Sequence, residues 1–437
     1  TAEEQAEIDR MKALGAPPKQ AATKPTAEGL PPAVAEKLGA VDPRIRDSVA
    51  ANKPWNQLAR EIITANGNTL ENGAANYYVM HKEVTDLTEN VSMAFLGMSI
   101  TCARCHNHPL EKWTQKQYYQ MANLFARVGM KNGTRAGDVQ VYTNPAGEVN
   151  HPRLNKPLPP APLDGTPLTL DAAQDRRAHL ADWLTSPDNP YFARALVNRV
   201  WKNFMGRGLV EAVDDMRATN LPSNEELLTA LTNDFTARNF DVKHLIRTIM
   251  NSAAYQRSSK PNEFNQPDEK FYARYLLKRL PAEVLLDAIT QVTGVDTEFP
   301  GYPAGTRAVQ LPDARVNSYF LSIFGRPPRV TTCECERSAE PSVPQALHVI
   351  NGDTINQKLR APNSVVDALV KLGASDETVI QHVYTAALSR PASPAELRQL
   401  QTMLQETSAS NAVNARRQAI EDLIWAVLTS KEFMFNH

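Results

Sequence analysis

The chain contains 437 residues, a length that predicts two or three domains. Hydrophobic residues make up 42% and charged residues 22%, a globular balance that excludes wholesale disorder. The 47 basic and 48 acidic residues give a formal net charge of -1, so no whole-molecule field would gather nucleic acid or an anionic membrane. No apolar run approaches the length of a membrane span. We therefore expect a soluble protein with neither a membrane span nor a nucleic-acid partner.

The chain begins at Thr1 without the basic and apolar pattern of a secretion signal. This favours a mature or internal fragment of a longer protein, or a cytoplasmic product without its initiator. The first 35 residues are rich in alanine, proline and lysine. Such a composition is typical of a linker or surface arm, which we assign to residues 1–40.

From residue 41 the pattern becomes helical. Apolar residues at 3.6-residue spacing predict an amphipathic helix within 85–100, with Thr85 or Asp86 as its N-cap. Thr114 and Gln117 form a capping-box signature for the next helix. The buried stripe of that helix is predicted to be Tyr118, Met121, Leu124, Phe125 and Val128.

A change of character after Gly129 predicts a domain junction. Residues 139–142 and 148–150 flank an Asn-Pro-Ala-Gly turn and predict a small β-hairpin, and a proline-dense connector follows. We assign 41–165 to a first helical domain and 166–437 to a second. The predicted fold class is all-α: two packed helical domains with one small β-hairpin near their junction.

Turn and capping residues punctuate the second part. Asn189-Pro190 is predicted to open a helix that Gly206 closes, Ser223 and Glu226 form a capping box, and Pro281 starts a helix that Gly294 ends. Further helices are predicted at about 313–324, 343–350, 376–389, 394–406 and 413–430.

The motif Cys102-Ala-Arg-Cys105-His106 is the sharpest chemical signal in the chain. A c-type haem requires two thiols that add across its vinyl groups and an adjacent imidazole that binds iron, and this spacing supplies all three on one turn. The same cysteines could instead form a local disulfide or a redox pair. They could also bind zinc or iron together with Cys333 and Cys335, although Cys-x-Cys is an unusually tight spacing.

Further iron ligands are harder to assign. His108 is a candidate but lies too close to His106 to bind the opposite face of one haem easily. The candidates for the sixth ligand of a haem iron are Met121, Met130, His151 and His348, and the alternative is an open sixth position. The polar loop with Cys333 and Cys335 is predicted to fold back towards the Cys102–His108 turn, or else to be a remote loop with its own disulfide.

Other catalytic signatures are absent from the sequence. It contains no Gly-x-Gly-x-x-Gly, phosphate loop, Gly-x-Ser-x-Gly or His-Glu-x-x-His motif. The acidic pairs Asp214-Asp215 and Glu225-Glu226 are predicted to lie at helix starts as caps. Arg194, Arg199, Trp201 and Arg207 give a local basic and aromatic face, which we interpret as a packed helix with solvated arginines and not as a nucleic-acid site. The sequence patterns therefore do not indicate a particular enzymatic reaction.

Longer segments carry a family resemblance. FLGMSITCARCHNHPLEKWTQKQYYQMANLFARVG resembles the cytochrome-associated domain of unknown function of planctomycetes and related bacteria. HLADWLTSPDNPYFARALVNRVWKNFMGRGLVEAVDDMRATNLPSNEELL is similar to its downstream partner domain, and CECERSAEPSVPQALHVINGDTINQKL extends this second match. The resemblance covers roughly residues 50–437.

The resemblance implies an exported protein, periplasmic or at the cell surface, with a link to c-type cytochromes and no settled activity. The resulting hypothesis is an extracytoplasmic c-type haem protein, acting in electron transfer or as the redox module of a larger exported assembly of proteins. The rival is a non-enzymatic structural or interaction subunit, whose cysteines form disulfides or a zinc or iron thiolate site.

Overall fold

The computed structural model describes residues 43–109, 111–135, 137–171, 174–311, 316–328, 337, 340–408 and 414–436. Within these residues the chain is mainly helical with a few short strands, which confirms the predicted class, all-α with a small antiparallel hairpin. They form two compact units that divide between Leu276 and Leu277. The predicted division at residue 165 lies within the first unit and stays a prediction about sequence domains.

The first unit is built from nine described helices and a small sheet. Two short 3-10 helices, Gly73–Ala75 and Thr101–Arg104, add to them. The α-helices are α1 (Pro43–Ala50), α2 (Trp55–Ile63), α3 (Asn76–Met80), α4 (Val84–Leu96), α5 (Gln115–Ala122), α6 (Arg176–Leu184), α7 (Phe192–Met205), α8 (Glu225–Ala237) and α9 (Val242–Met250).

Helix α4 ends four residues earlier than its sequence pattern suggests. Gly97 adopts a left-handed conformation with φ 64°, which a side chain would disfavour, and an added Cβ would lie 3.2 Å from Ala195 and Met216. Arg199 of α7 donates hydrogen bonds to the carbonyl groups of Met93 and Ala94 in the last turn of α4. The N-cap residue is Glu83, so the predicted caps Thr85 and Asp86 were wrong: both lie inside the first turn of the helix. The direction of the chain after α4 is therefore fixed by a glycine and an arginine.

Helix α5 begins at the predicted capping box. The Thr114 side chain accepts a hydrogen bond from the Gln117 backbone N–H, and the Gln117 side chain accepts one from the Thr114 backbone N–H. Tyr118, Met121 and the residues that follow the helix, Leu124 and Phe125, are buried, whereas Val128 is half-buried in a strand.

We expect Thr114→Ala to lower the free energy of unfolding by about 1 kcal/mol, because the variant leaves an N–H of the first turn without its side-chain acceptor. Chemical denaturation followed by circular dichroism measures the difference. Thr232→Ala, in the middle of α8, is the control because its hydroxyl donates to the Leu228 carbonyl within its own helix and caps no helix end. An unchanged midpoint for Thr114→Ala would contradict the prediction.

The small sheet has the strand order β1-β3-β2. It contains β1 (Gly67–Asn68), β2 (Val128–Asn132) and β3 (Val139–Thr143), all antiparallel, with Met130 opposite Val141. Two further strands, β4 (Asn150–His151) and β5 (Lys156–Pro157), pair with each other.

The predicted hairpin partner was therefore wrong. Residues 139–142 pair with the preceding strand β2 rather than with 148–150. The turn between β2 and β3 has glycine at both ends: Gly133 donates from its N–H to the Asp138 carbonyl at 2.7 Å, and Gly137 has φ 77°. The backbone N–H of Asn144 donates to Arg127, so the Asn-Pro-Ala-Gly segment follows the sheet and does not close a hairpin.

The core of the first unit encloses two arginines at the start of α6. Arg177 is completely buried and donates to the Ala65 carbonyl at 2.8 Å, the Asn66 amide oxygen at 2.6 Å and the Asp175 carboxylate at 2.7 Å. Its guanidinium lies 4.9 Å from the ring centre of Tyr78. Arg176 binds the carboxylate of Glu148 with two hydrogen bonds. Both arginines are thus part of the core packing.

Two of the predicted helix boundaries in this unit can be compared directly. The Asn189 side chain accepts from the N–H groups of Tyr191 and Phe192, and α7 ends at Gly206 with φ 80°, as predicted. The Ser223 cap was wrong: Asn224 is the N-cap of α8 and accepts from the Leu227 N–H at 2.9 Å.

The second unit contains the described residues from 277 onward. Its described helices include the predicted segments at 343–350, 376–389, 394–406 and 413–430. In the predicted segment 313–324, the described residues contain a shorter helix. The described helices are α10 (Ala282–Thr293), α11 (Tyr319–Ile323), α12 (Val343–Asn351), α13 (Asp353–Arg360), α14 (Val365–Lys371), α15 (Asp376–Leu388), α16 (Pro394–Ser408), α17 (Ala415–Leu428) and α18 (Lys431–Met434). A separate core of aliphatic and aromatic side chains fills the space between them.

The second unit contains a short strand pair and a buried lysine. Strand β6 (Lys278–Arg279), at its beginning, pairs antiparallel with β7 (Phe435–Asn436), with Lys278 opposite Asn436. Lys358 of α13 is buried and donates to the carbonyl of Val295 and the hydroxyl of Thr290. Burial lowers the pKa of Lys358 to about 8.

Candidate functional site

The Cys-x-x-Cys-His motif forms one closed turn after α4. Cys102 lies in the 3-10 helix Thr101–Arg104, and its carbonyl accepts hydrogen bonds from the N–H groups of both Cys105 and His106, each at 3.3 Å. Both thiols are free and exposed. The turn therefore presents two unbonded thiols to solvent within four residues.

The ring of His106 is oriented by its own neighbour. Its Nδ1 lies 2.7 Å from the backbone oxygen of Asn107. Because a carbonyl oxygen only accepts hydrogen bonds, Nδ1 must carry the proton, and in the neutral ring Nε2 then keeps its lone pair. Histidine ligands of metals are commonly oriented by such a bond from the other ring nitrogen. His106 is exposed and has the tautomer of a metal ligand.

Gln115, the first residue of α5, holds the end of this turn. Its side-chain amide donates to the carbonyl oxygens of Arg104 at 3.0 Å and Cys105 at 2.9 Å. Its backbone N–H donates to the side-chain oxygen of Asn107 at 3.0 Å. The Tyr119 hydroxyl adds a longer bond to the Arg104 carbonyl, at 3.3 Å. Helix α5 thus binds three acceptors in the segment from Arg104 to Asn107.

Glu89 of α4 holds the other end of the turn. Its carboxylate accepts from the hydroxyls of Tyr118 at 2.8 Å and Thr101 at 3.2 Å, and lies 3.7 Å from the Arg104 guanidinium. Burial raises the pKa of the Tyr118 hydroxyl, and its hydrogen bond to Glu89 raises that pKa further. The Tyr118 hydroxyl therefore stays a hydrogen-bond donor to Glu89 at neutral pH.

A cavity of about 300 Å³ lies beside the turn. His108, whose backbone N–H donates to the Trp113 carbonyl at 2.8 Å, contributes to its lining, whereas Cys105 and His106 do not. Arg217 and Asp215 also line the cavity and pair with each other at 2.8 Å. The lining residues are Met98, Ser99, Cys102, His108, Pro109, Glu111, Trp113, Asp215 and Arg217.

The other predicted ligands lie in different surroundings. Met121 is completely buried, and its sulfur lies 3.7 Å from the Ser92 hydroxyl. His151 is buried and accepts the backbone N–H of Arg153 at its Nδ1, so its neutral ring carries the proton on Nε2. Burial, followed by the charges of Arg153 and Lys116, lowers the pKa of His151.

Met130 is half-buried in β2, and His348 belongs to the second unit, where its Nε2 lies 2.9 Å from the Thr354 hydroxyl. Among the candidate ligands that the structure describes, His108 alone lines the cavity together with Cys102. Cys333 and Cys335 lie outside the described residues, so their predicted approach to the turn stays a prediction. Within the described part of the chain, no group of three or more histidine, cysteine or acidic side chains is arranged to hold a metal ion.

Sequence reasoning missed several residues of this site. Asp214 and Asp215 were expected to cap a helix, but they lie in a turn well before α8 and pair with Arg199 and Arg217. Glu225 and Glu226 do lie in the first turn of α8. Gln115 and Glu89 carried no chemical signature, although the capping box one residue before Gln115 located the helix that positions it.

No helix in the described ranges combines the length and apolar character that a membrane crossing requires.

Comparison with known protein families gives two matches. Residues 41–130, which include the Cys-x-x-Cys-His turn, match a protein family of unknown function (DUF1549), and residues 176–404 match a second protein family of unknown function (DUF1553). No curated protein and no solved structure matches the chain. The second match spans more than half of the 437 residues. The chain therefore belongs to the family of proteins of unknown function DUF1553, preceded by a segment that matches DUF1549.

Proposed function

We propose that this chain is an extracytoplasmic c-type haem protein, in which Cys102 and Cys105 are the attachment residues and His106 is the iron ligand. The observation that carries the proposal is the hydrogen bond from His106 Nδ1 to Asn107. It leaves Nε2 as a ligand atom on the same turn as two exposed thiols.

The chemical character of the surrounding residues suits a haem group. Met98 and the buried Trp113 give the cavity beside Cys102 an apolar part, and His108 and Arg217 give it polar groups. A bound haem would supply one-electron redox chemistry. The chain itself supplies two thiols for covalent attachment, one imidazole for the iron, and a turn held at both ends by Glu89 and Gln115.

The role we propose is electron transfer, or service as the redox module of a larger exported assembly with protein partners. Haem attachment to Cys-x-x-Cys-His takes place outside the cytoplasm in bacteria, so the proposed compartment is the periplasm or the cell surface. The resemblance of the motif region to cytochrome-associated domains supports this compartment.

Export of the chain in a host with haem-attachment machinery tests the proposal. We expect a pyridine haemochrome spectrum and a covalent mass increase for the wild type. Cys102→Ser and Cys105→Ser should each lose one thioether and change the haemochrome spectrum, and the double variant should lose covalent haem entirely. His106→Phe should alter the iron spectrum because the ligand is removed.

The control variant is Cys333→Ser with Cys335→Ser, which should still acquire haem. A wild-type chain that is exported and folded but carries no haem would overturn the proposal. Zinc or iron that is retained by the wild type and lost from the control variant would instead support the rival, a subunit with a four-thiolate metal site.

A further inference from the structure

We infer that Gln115 is the positioning residue of the Cys102–Cys105 turn: its two amide N–H groups, bound to the carbonyls of Arg104 and Cys105, keep the two thiols arranged so that one group can bridge both sulfurs. This inference rests on the site of the proposed function. It concerns the arrangement of the thiols and applies whether or not haem is attached.

The end of a 3-10 turn leaves carbonyl groups without partners inside the turn. In this turn these are the carbonyl groups of Arg104 and Cys105. Gln115 donates hydrogen bonds to both of them, and this residue is only 5% exposed. Tyr119 donates to the Arg104 carbonyl alone, at 3.3 Å. Removing the Gln115 donors therefore leaves the Cys105 carbonyl without its side-chain partner.

The position of Gln115 is itself fixed in two ways. It is the first residue of α5, directly after the N-cap residue Thr114, and its backbone N–H donates to the side chain of Asn107. The amide thus projects from a defined helix start, next to the segment that follows His106. Glu89 holds the beginning of the turn through Thr101 and does not contact the Cys105 carbonyl. Each end of the turn has its own support.

A trivalent arsenical measures this arrangement directly. Phenylarsonous acid condenses with two thiols to form two arsenic–sulfur bonds and release two water molecules, with no change in oxidation state. Its affinity is measured on haem-free chain in a background of Cys333→Ser and Cys335→Ser, so that the thiols of residues 102 and 105 are the ones titrated. Tight one-to-one binding is expected for this background.

Gln115→Glu keeps the size of the side chain and suits a helix N-terminus, but its carboxylate cannot donate. We expect it to weaken arsenical binding about tenfold at pH 7.5, as for the loss of two hydrogen bonds. Gln115→Met also lacks a donor and should weaken binding by a similar factor, and it supplies the test if the glutamate variant does not fold.

The matched control is Gln120→Glu, the same charge change on the same helix but away from the turn. It should bind the arsenical as the background does. Equal affinity in the Gln115 variants and the background would overturn the inference, as would an equal loss in Gln120→Glu. An exported wild type without haem but with tight arsenical binding would overturn the proposed function alone.

Discussion

Replacing Arg177 by methionine is expected to lower the free energy of unfolding by about 3 to 5 kcal/mol, the range typical when one partner of a buried ion pair is removed. The variant leaves the carbonyl of Ala65 and the amide oxygen of Asn66 without their donor. It also leaves the carboxylate of Asp175 without its countercharge. Methionine fills much of the same space, so the effect reports on polar groups more than on a void.

The pKa of Asp175 supports this expectation. Burial acts to raise that pKa, but the hydrogen bonds and charge of Arg177 outweigh it, and the net shift is downward. Arg238→Met is the matched control, because Arg238 is exposed and lies 4.0 Å from Asp234, and we expect a change within about 0.5 kcal/mol. Urea unfolding followed by tryptophan fluorescence compares the two variants. A similarly small change for Arg177→Met would show that Asp175 and Ala65 find other partners.

Because of Lys358, the free energy of unfolding of the second unit is expected to increase with pH in the alkaline range. The folded chain holds its amine at a pKa of about 8, below the ordinary lysine value of 10.5. Between these values the unfolded chain binds more protons, so the free energy of unfolding rises with pH across this window. Below pH 8 the amine is charged in both states, and the full burial penalty applies. The gain from pH 8 to pH 10.5 is about 2 to 3 kcal/mol.

Lys358→Met removes this titration. The variant should be most stable relative to the wild type at pH 7, and the difference should shift in favour of the wild type as the pH rises to 10.5. Other groups titrate in both proteins and cancel in the difference. Gln357→Met, an exposed and non-titrating change on the same helix, should give a pH profile parallel to that of the wild type. A parallel profile for Lys358→Met would contradict the lowered pKa.

Local signals predicted much of the fold. The capping box at Thr114 and the left-handed glycine at Gly206 lie where their chemistry requires them, because a cap is satisfied by residues three or four positions away. The hairpin partner of 139–142 was mispredicted because pairing depends on which strand the sheet brings alongside. Val141 is buried between Met130 and Gly67, which no local turn pattern indicates.

The candidate site was predictable only as far as its motif. Cys102, Cys105 and His106 are adjacent in sequence, so their spacing alone places them on one turn. Glu89 and Gln115 act on that turn from separate helices, and Asp215 lies more than 100 residues away along the chain. These contacts arise because separate helices pack together. The residues involved are distant in the sequence, so no local sequence pattern indicates that they meet. A glutamine at a helix start is common and signals nothing by itself.

The pairing of β6 with β7 determines how the second unit responds to mechanical load. Lys278, where the chain enters the unit, lies directly opposite Asn436 near the other end of the chain. In an antiparallel pair with both attachment points at the same end, a pulling force loads the hydrogen bonds one after another instead of together. Tension applied through residues 277 and 436 should therefore separate this ribbon by peeling at low force, before it reaches the helices.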